Sequence, residues 1–145
     1  MTEFSLQDYD NKKFDDLKAS IRLNLKVAPK HLINALVKGK TRRRKYDCLM
    51  PDLAGYLSGK LCHTYIFYSG DVAVEPSEIT AFLLVWIRAV PEADAEACGA
   101  KSVFEYEPGY DKLASDLYQA MMAQWRSEYS PSHWRPGAFD RSRMV

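Results

Sequence analysis

Residues 62–92 read CHTYIFYSGDVAVEPSEITAFLLVWIRAVPE, and this stretch decides the fold class. Leu61 to Tyr68 is rich in β-branched and aromatic side chains and ends at the turn signal Ser69-Gly70-Asp71, which predicts a strand. Its two alternating sets, Leu61, His63, Tyr65, Phe67 and Cys62, Thr64, Ile66, Tyr68, are both largely apolar, as in a strand covered on each face. A helix follows over Pro76 to about Val90, with Ser77 as expected N-cap and Glu78 suited to the positive end of the first turn. The helix is apolar nearly all round, so at least three of Phe82, Leu83, Leu84, Val85, Trp86 and Ile87 are expected to be buried. Pro91 stops it.

Outward toward the N-terminus, Phe14, Leu17, Ile21 and Leu25 recur at spacings of three and four, which predicts a helix over about 11–25 capped by Asp8 or Asp10. Residues 1–9 read as an irregular lead-in. Ala28-Pro29 interrupts that helix, and Pro29 suits the first turn of a second one whose apolar side is Leu32, Ile33, Leu36 and Val37. Gly39 closes it. The basic stretch KTRRRKYDCLM leads into an extended segment, and Pro51 to Lys60, with one proline and two glycines, reads as a loop or a single helical turn.

Outward toward the C-terminus, residues 91–101 are small and acidic, and Val103 to Glu107 read as a short strand closed by Pro108-Gly109. Leu113, Leu117, Met121 and Trp125 recur every four residues, which predicts a helix over about 110–128, with a strand at KLASDLYQA as the alternative. Residues 129–145 contain two prolines and show no periodicity. They form an extended C-terminal arm beside a single domain, residues 1–128. The fold class is therefore α+β: a small mixed or antiparallel sheet packed against helices.

At 145 residues the chain fits one domain that buries about 68–70% of its unfolded surface. A hydrophobic fraction of 47% and a net charge of +1 argue against a disordered chain and against a globally basic nucleic-acid binder. The longest charge-free run of the apolar helix, Ile79 to Ile87, falls far short of the ~20 residues that cross a bilayer. The N-terminus lacks an apolar signal region, so no secretion is expected. Three widely spaced cysteines, Cys48, Cys62 and Cys98, suit free thiols in a reducing compartment.

Motifs for chemistry are weak. Gly39-Lys40-Thr41 resembles the end of a phosphate loop, but Asn34 stands where that loop needs glycine and a helical pattern precedes it. His31, His63 and His133 do not stand at zinc-finger spacing with the cysteines, and Cys62-His63 would project to opposite faces of a strand. A cysteine–histidine nucleophile pair has no local support. No cofactor, metal or catalytic residue is expected. Lys38, Lys40, Arg42, Arg43, Arg44 and Lys45 place six positive charges in eight residues. They are either a solvated loop or an interface. No aromatic is interleaved for base stacking, so a protein partner is favoured over nucleic acid. Seven acids, Glu92, Asp94, Glu96, Glu105, Glu107, Asp111 and Asp116, offer a complementary patch for head-to-tail copies. Met121, Met122, Trp125 and Trp134 could form a sticky surface, although Met121 and Trp125 also fit the core face. Trp134, with Arg135 and Arg141, is a candidate intersubunit anchor on the arm.

TYIFYSGD followed by EPSEITAFLLVWIRAVPEA resembles the central block of phage tail completion proteins of the tail-terminator group, from contractile-tailed temperate phages. Leu84, Val85, Trp86, Ile87, Arg88, Pro91 and Glu92 match the family's helix, and Phe104 to Glu107 is similar to a strand that follows it. The resemblance spans about thirty residues closely and about fifty loosely. It implies a structural virion protein, assembled in the host cytoplasm, that forms a homo-oligomeric ring, often sixfold. The ring caps the tail tube and stops polymerisation of tube and sheath, with no catalytic residues and no membrane. A different class remains open: a small inhibitor or immunity-type protein that binds one partner through a charged face.

Overall fold

The computed structural model describes residues 16–39 and 43–130. Helix α1 (Leu17–Lys26) is capped by Asp16, whose carboxylate accepts a hydrogen bond from the Ala19 amide at 3.0 Å. The expected caps Asp8 and Asp10 lie outside the described residues. Leu17, Ile21 and Leu25 repeat every four residues and are all buried. Helix α2 (Lys30–Val37) starts after Pro29 and buries Leu32, Ile33, Ala35 and Leu36. The chain then comes so close to itself that a β-carbon on Gly39 would lie 2.0 Å from the Ala35 carbonyl oxygen.

The expected extended segment and loop at 43–60 are both helical. Arg43–Tyr46 form the short helix α3, Asp47–Leu49 a 3-10 turn, and Met50–Thr64 the central helix α4. Pro51 sits in the first turn, where its missing N–H costs nothing. Gly55 and Gly59 lower propensity by ~1 kcal/mol each. They are outweighed by the buried stripe Met50, Leu53, Ala54, Leu57, Ser58 and Leu61, which packs α4 against α5, α1 and α2. The buried Ser58 hydroxyl donates to the Pro76 carbonyl at 3.2 Å and ties α4 to the start of α5.

Strand β1 is therefore shorter than the sequence suggests, Tyr65–Ser69, because Leu61 to Thr64 complete α4. Gly70, at φ 66°, turns the chain into β2 (Val72–Ala73). Helix α5 (Pro76–Ala89) follows with Glu75, not Ser77, at its N-cap and no side-chain capping bond. It is a one-sided helix rather than an all-round buried one. Ile79, Leu83 and Ile87 face α4, Phe82, Leu84 and Trp86 are half-buried, and Val85 is 69% exposed. Of the six candidates, two, Leu83 and Ile87, are fully buried where at least three were expected, because α4 supplies a single packing face.

Helix α6 (Glu92–Cys98) and the long helix α7 (Val103–Gln124) complete the helical layer. The expected strand at 103–107 is the first turns of α7. Ser102 caps it by accepting from the Phe104 amide at 3.2 Å, and Pro108 is carried inside it. A proline there forfeits one bond, to the Phe104 carbonyl. The helix predicted at 110–128 is real over its larger part, and the strand alternative is excluded. Met121 and Trp125 are core residues, while Met122 is half-buried beside them.

Strand β3 (Arg126–Tyr129) returns to the sheet, whose order is β2-β1-β3, antiparallel throughout, with Tyr65 opposite Tyr129 and Tyr68 opposite Arg126. The Ser130 amide donates to the Thr64 carbonyl at 2.7 Å. The folded part thus runs past the expected boundary at 128, because Tyr129 and Ser130 complete this pairing. Trp125 joins sheet to helices, with its ring centroid 4.9 Å from Phe82 and 6.1 Å from Phe67. The protein is α+β, a three-stranded antiparallel sheet packed on a larger helical layer.

Candidate protein-interaction surfaces

The residues predicted to form an interface are placed unevenly. Lys40, Arg42, Trp134, Arg135 and Arg141 lie outside the described residues, as does His133. Arg43 opens α3. Arg44 and Lys45 are exposed on that helix, with the Lys45 ammonium 5.5 Å from the Tyr46 ring centroid. Lys38 is separated from them by the buried Gly39 and faces another surface.

The acidic patch is largely neutralised within the chain. Glu107 pairs with Arg22 and Lys26, and Asp111 with Arg22. Lys112 bridges Asp94 at 2.9 Å and Asp116 at 2.8 Å, and these bonds raise its pKa to about 12. Four of the seven acids are therefore paired within the chain, and three of them, Glu107, Asp111 and Asp94, hold α7 against α1 and α6, while Asp116 pairs within α7. Among the described residues, Glu92, Glu96 and Glu105 have no ion-pair partner.

Two contiguous surfaces flank Ala100. The first is a cleft of about 570 Å³ between the end of α1, the outer side of α2 and the loop after α6. Its floor is apolar, from Ile33, Val37, Cys98 and Tyr110, and its rim carries Lys26, Lys30, Lys38 and Lys101. Gly99 lets the loop approach α2, since a β-carbon there would meet Val37 Cγ1 at 2.3 Å. Lys30 and Lys101 have no ion-pair partner among the described residues. The second surface is a shallow apolar hollow built by Ala93, Ala97, Ala100 and Pro108, edged by Glu96 and Glu105. Phe104 stands over it at 88% exposure, beside Val103 at 45%. The first turn of α7 fixes its position.

The thiols differ by environment. Burial pushes the Cys98 thiol up to about 12, with the nearby Asp94 charge adding to it. Burial also raises Cys62, which its hydrogen-bond contact with Ser58 partly offsets. Cys48 is exposed. Cys62 and His63 are neighbours on α4 rather than on opposite strand faces, because the strand starts later. Among the described residues no group of three or more His, Cys, Asp or Glu side chains could hold a metal ion, and no helix is long and apolar enough to cross a membrane.

Reasoning from sequence missed Lys26, Lys30, Lys101 and Phe104. The sequence reads Phe104 as part of a strand at 103–107, whereas it stands in the first turn of α7. The lysines gather from three separated segments, so no local run announces them. No protein-family model, curated protein or solved structure matches the chain.

Proposed function

We propose that the chain is a structural assembly protein that works by protein contact and, following the resemblance at 62–107, a tail completion or terminator subunit of a contractile-tailed virion. In this reading it carries no reaction. Its neighbours are copies of itself, in a ring, and tail tube or sheath subunits. The observation that carries the self-association in this reading is the pair of adjoining surfaces of opposite chemistry: an apolar cleft rimmed by lysines, and an exposed aromatic edged by acids without an ion-pair partner among the described residues. Apolar centres with charged rims are what protein interfaces present. Of the block that carries the resemblance, Leu84 to Arg88 lie in α5 and Pro91 follows its end as the N-cap of α6, which Glu92 opens, whereas FEYE is helical and does not add to the likeness. The test is direct. Purified protein added to polymerising tail-tube subunits from the genome that encodes it should arrest tube growth and remain bound at the tube end. Tubes that lengthen unhindered would reject the terminator role.

A second reading has its own observation. The exposed Arg44 and Lys45 lie on a short helix apart from the cleft, and a charged face of this kind suits an inhibitor or immunity-type protein. A one-to-one complex with a single soluble partner and no arrest of tube growth would favour it.

A further inference from the structure

We propose that two copies of the chain pair through a two-fold interface in which Phe104 of each enters the lysine-rimmed cleft of the other. This deepens the assembly reading by naming the partner as a second copy, and it rests on that reading only in requiring self-association.

Phe104 is the most exposed of the large apolar side chains described, at 88%. It is held out by a capped helical turn, so little ordering entropy opposes its burial in a partner. A phenylalanine buries ~150–250 Å² when enclosed. The cleft, at about 570 Å³, has room for it and for Val103 beside it. The floor offers Tyr110, Ile33 and Val37 as apolar contacts.

Charge sets the orientation. The groups beside Phe104 are Glu96 and Glu105, and the cleft rim carries Lys30 and Lys101; none of these four has an ion-pair partner among the described residues. Docking Phe104 brings the acids of one copy to the lysines of the other. A cleft that met its own kind would face lysine with lysine, and such like-charge contact is disfavoured.

Symmetry follows from adjacency. Ala100 lines both the cleft and the hollow, so the two surfaces share an edge. A ring built head to tail needs its complementary surfaces on different sides of the subunit. Surfaces that adjoin are satisfied together by a two-fold axis near their shared edge, where each copy gives what the other receives. Two enclosed phenylalanines bury roughly 300–500 Å², so the charged rims and Val103 supply the rest of the ~1,200 Å² at which specific interfaces begin. A ring would then be built from pairs through another surface.

The experiment is sedimentation equilibrium of the full chain with Phe104→Ser, Lys101→Glu, Glu105→Lys and the double variant Lys101→Glu/Glu105→Lys, each checked for helical circular dichroism. All three positions are exposed, so folding is expected to survive. Wild type should show two copies at micromolar concentration. Phe104→Ser and each single charge reversal should weaken the dimer at least tenfold, and the double reversal should recover most of the loss. A wild type that stays monomeric up to roughly 100 μM, about a hundredfold higher, would overturn the pairing. So would a dimer or larger oligomer indifferent to Phe104→Ser and to both single reversals. Arrest of tube growth is scored separately. A protein that arrests growth without this dimer defeats the pairing and leaves the terminator role, and the opposite result defeats the role and leaves the pairing.

Discussion

The same substitution, glycine to alanine, should have opposite signs at two positions within helices. On propensity alone each change favours the helix by ~1 kcal/mol. At Gly55, on the outer side of α4, a β-carbon meets no atom within 4 Å, so the gain should appear undiminished. Gly109 lies where α7 crosses α6, and a β-carbon there would sit 3.1 Å from the Ala97 carbonyl carbon, the Ala97 β-carbon and the Cys98 nitrogen. Carbon contacts are comfortable at ~3.5–4.0 Å, so three atoms, two of them backbone, would each be crowded by roughly half an ångström. Overpacking of this kind costs ~1–3 kcal/mol, which exceeds the propensity gain. Gly109→Ala should therefore destabilise by about 1 kcal/mol and Gly55→Ala stabilise by about as much. In urea, with an m-value of ~2 kcal/mol per molar, the midpoints should move by about 0.5 M in opposite directions. Equal shifts of the same sign would refute the placement of α6 against α7.

Further outcomes follow from the aromatic cluster, from the thiols and from the second open glycine. Trp125→Ala, at a residue 8% exposed and packed on Phe67 and Phe82, should cost ~3–5 kcal/mol, whereas Trp86→Ala, half-buried on α5, should cost roughly 1–2 kcal/mol; thermal unfolding of the pair measures the contrast. Of the three cysteines, Cys48 should react fastest with a disulfide reagent near pH 8, and Cys98 only as the chain opens. Because Cys98 is raised from 9.0 to about 12, the unfolded chain loses this proton at lower pH than the folded one. The stability linked to it is full below pH 9 and falls between pH 9 and about 12, and Cys98→Ala should flatten that part of the profile. Gly59→Ala should stabilise α4 by ~1 kcal/mol in chemical denaturation, since a β-carbon there also meets no atom within 4 Å.

The fold class was legible because period and turn chemistry agreed in the places that matter. The four-residue repeats of α1 and of the second half of α7, the Pro29 start of α2 and the Gly70 turn each have one simple physical reading. The misreadings have a shared cause. Pro51, Gly55, Gly59 and Pro108 read as breakers in the sequence, yet Pro51 falls in a first turn where a missing N–H costs nothing, Pro108 forfeits one bond within a 22-residue helix, and the two glycines lie opposite an uninterrupted leucine stripe. Calling 51–60 irregular then pushed the strand start four residues early, to Leu61. On α5 the apolar surplus beyond Ile79, Leu83 and Ile87 suggested burial all round, whereas Val85 and Arg88 lie on an open side. The interaction surface was less legible. Charge runs are visible in sequence, but ion pairs such as Lys112 with Asp94 and Asp116 cancel much of the acidic patch, and only the folded chain gathers Lys26, Lys30 and Lys101 around one cleft.

Hydrogen exchange of the full chain, compared between dilute and concentrated solution, tests the central claim of self-assembly through this face most directly. Protection should rise with concentration in two separated segments, 26–38 and 93–106, while β2 and the open side of α5 stay unchanged. Concentration-independent exchange, or new protection confined to the sheet edges, would contradict it.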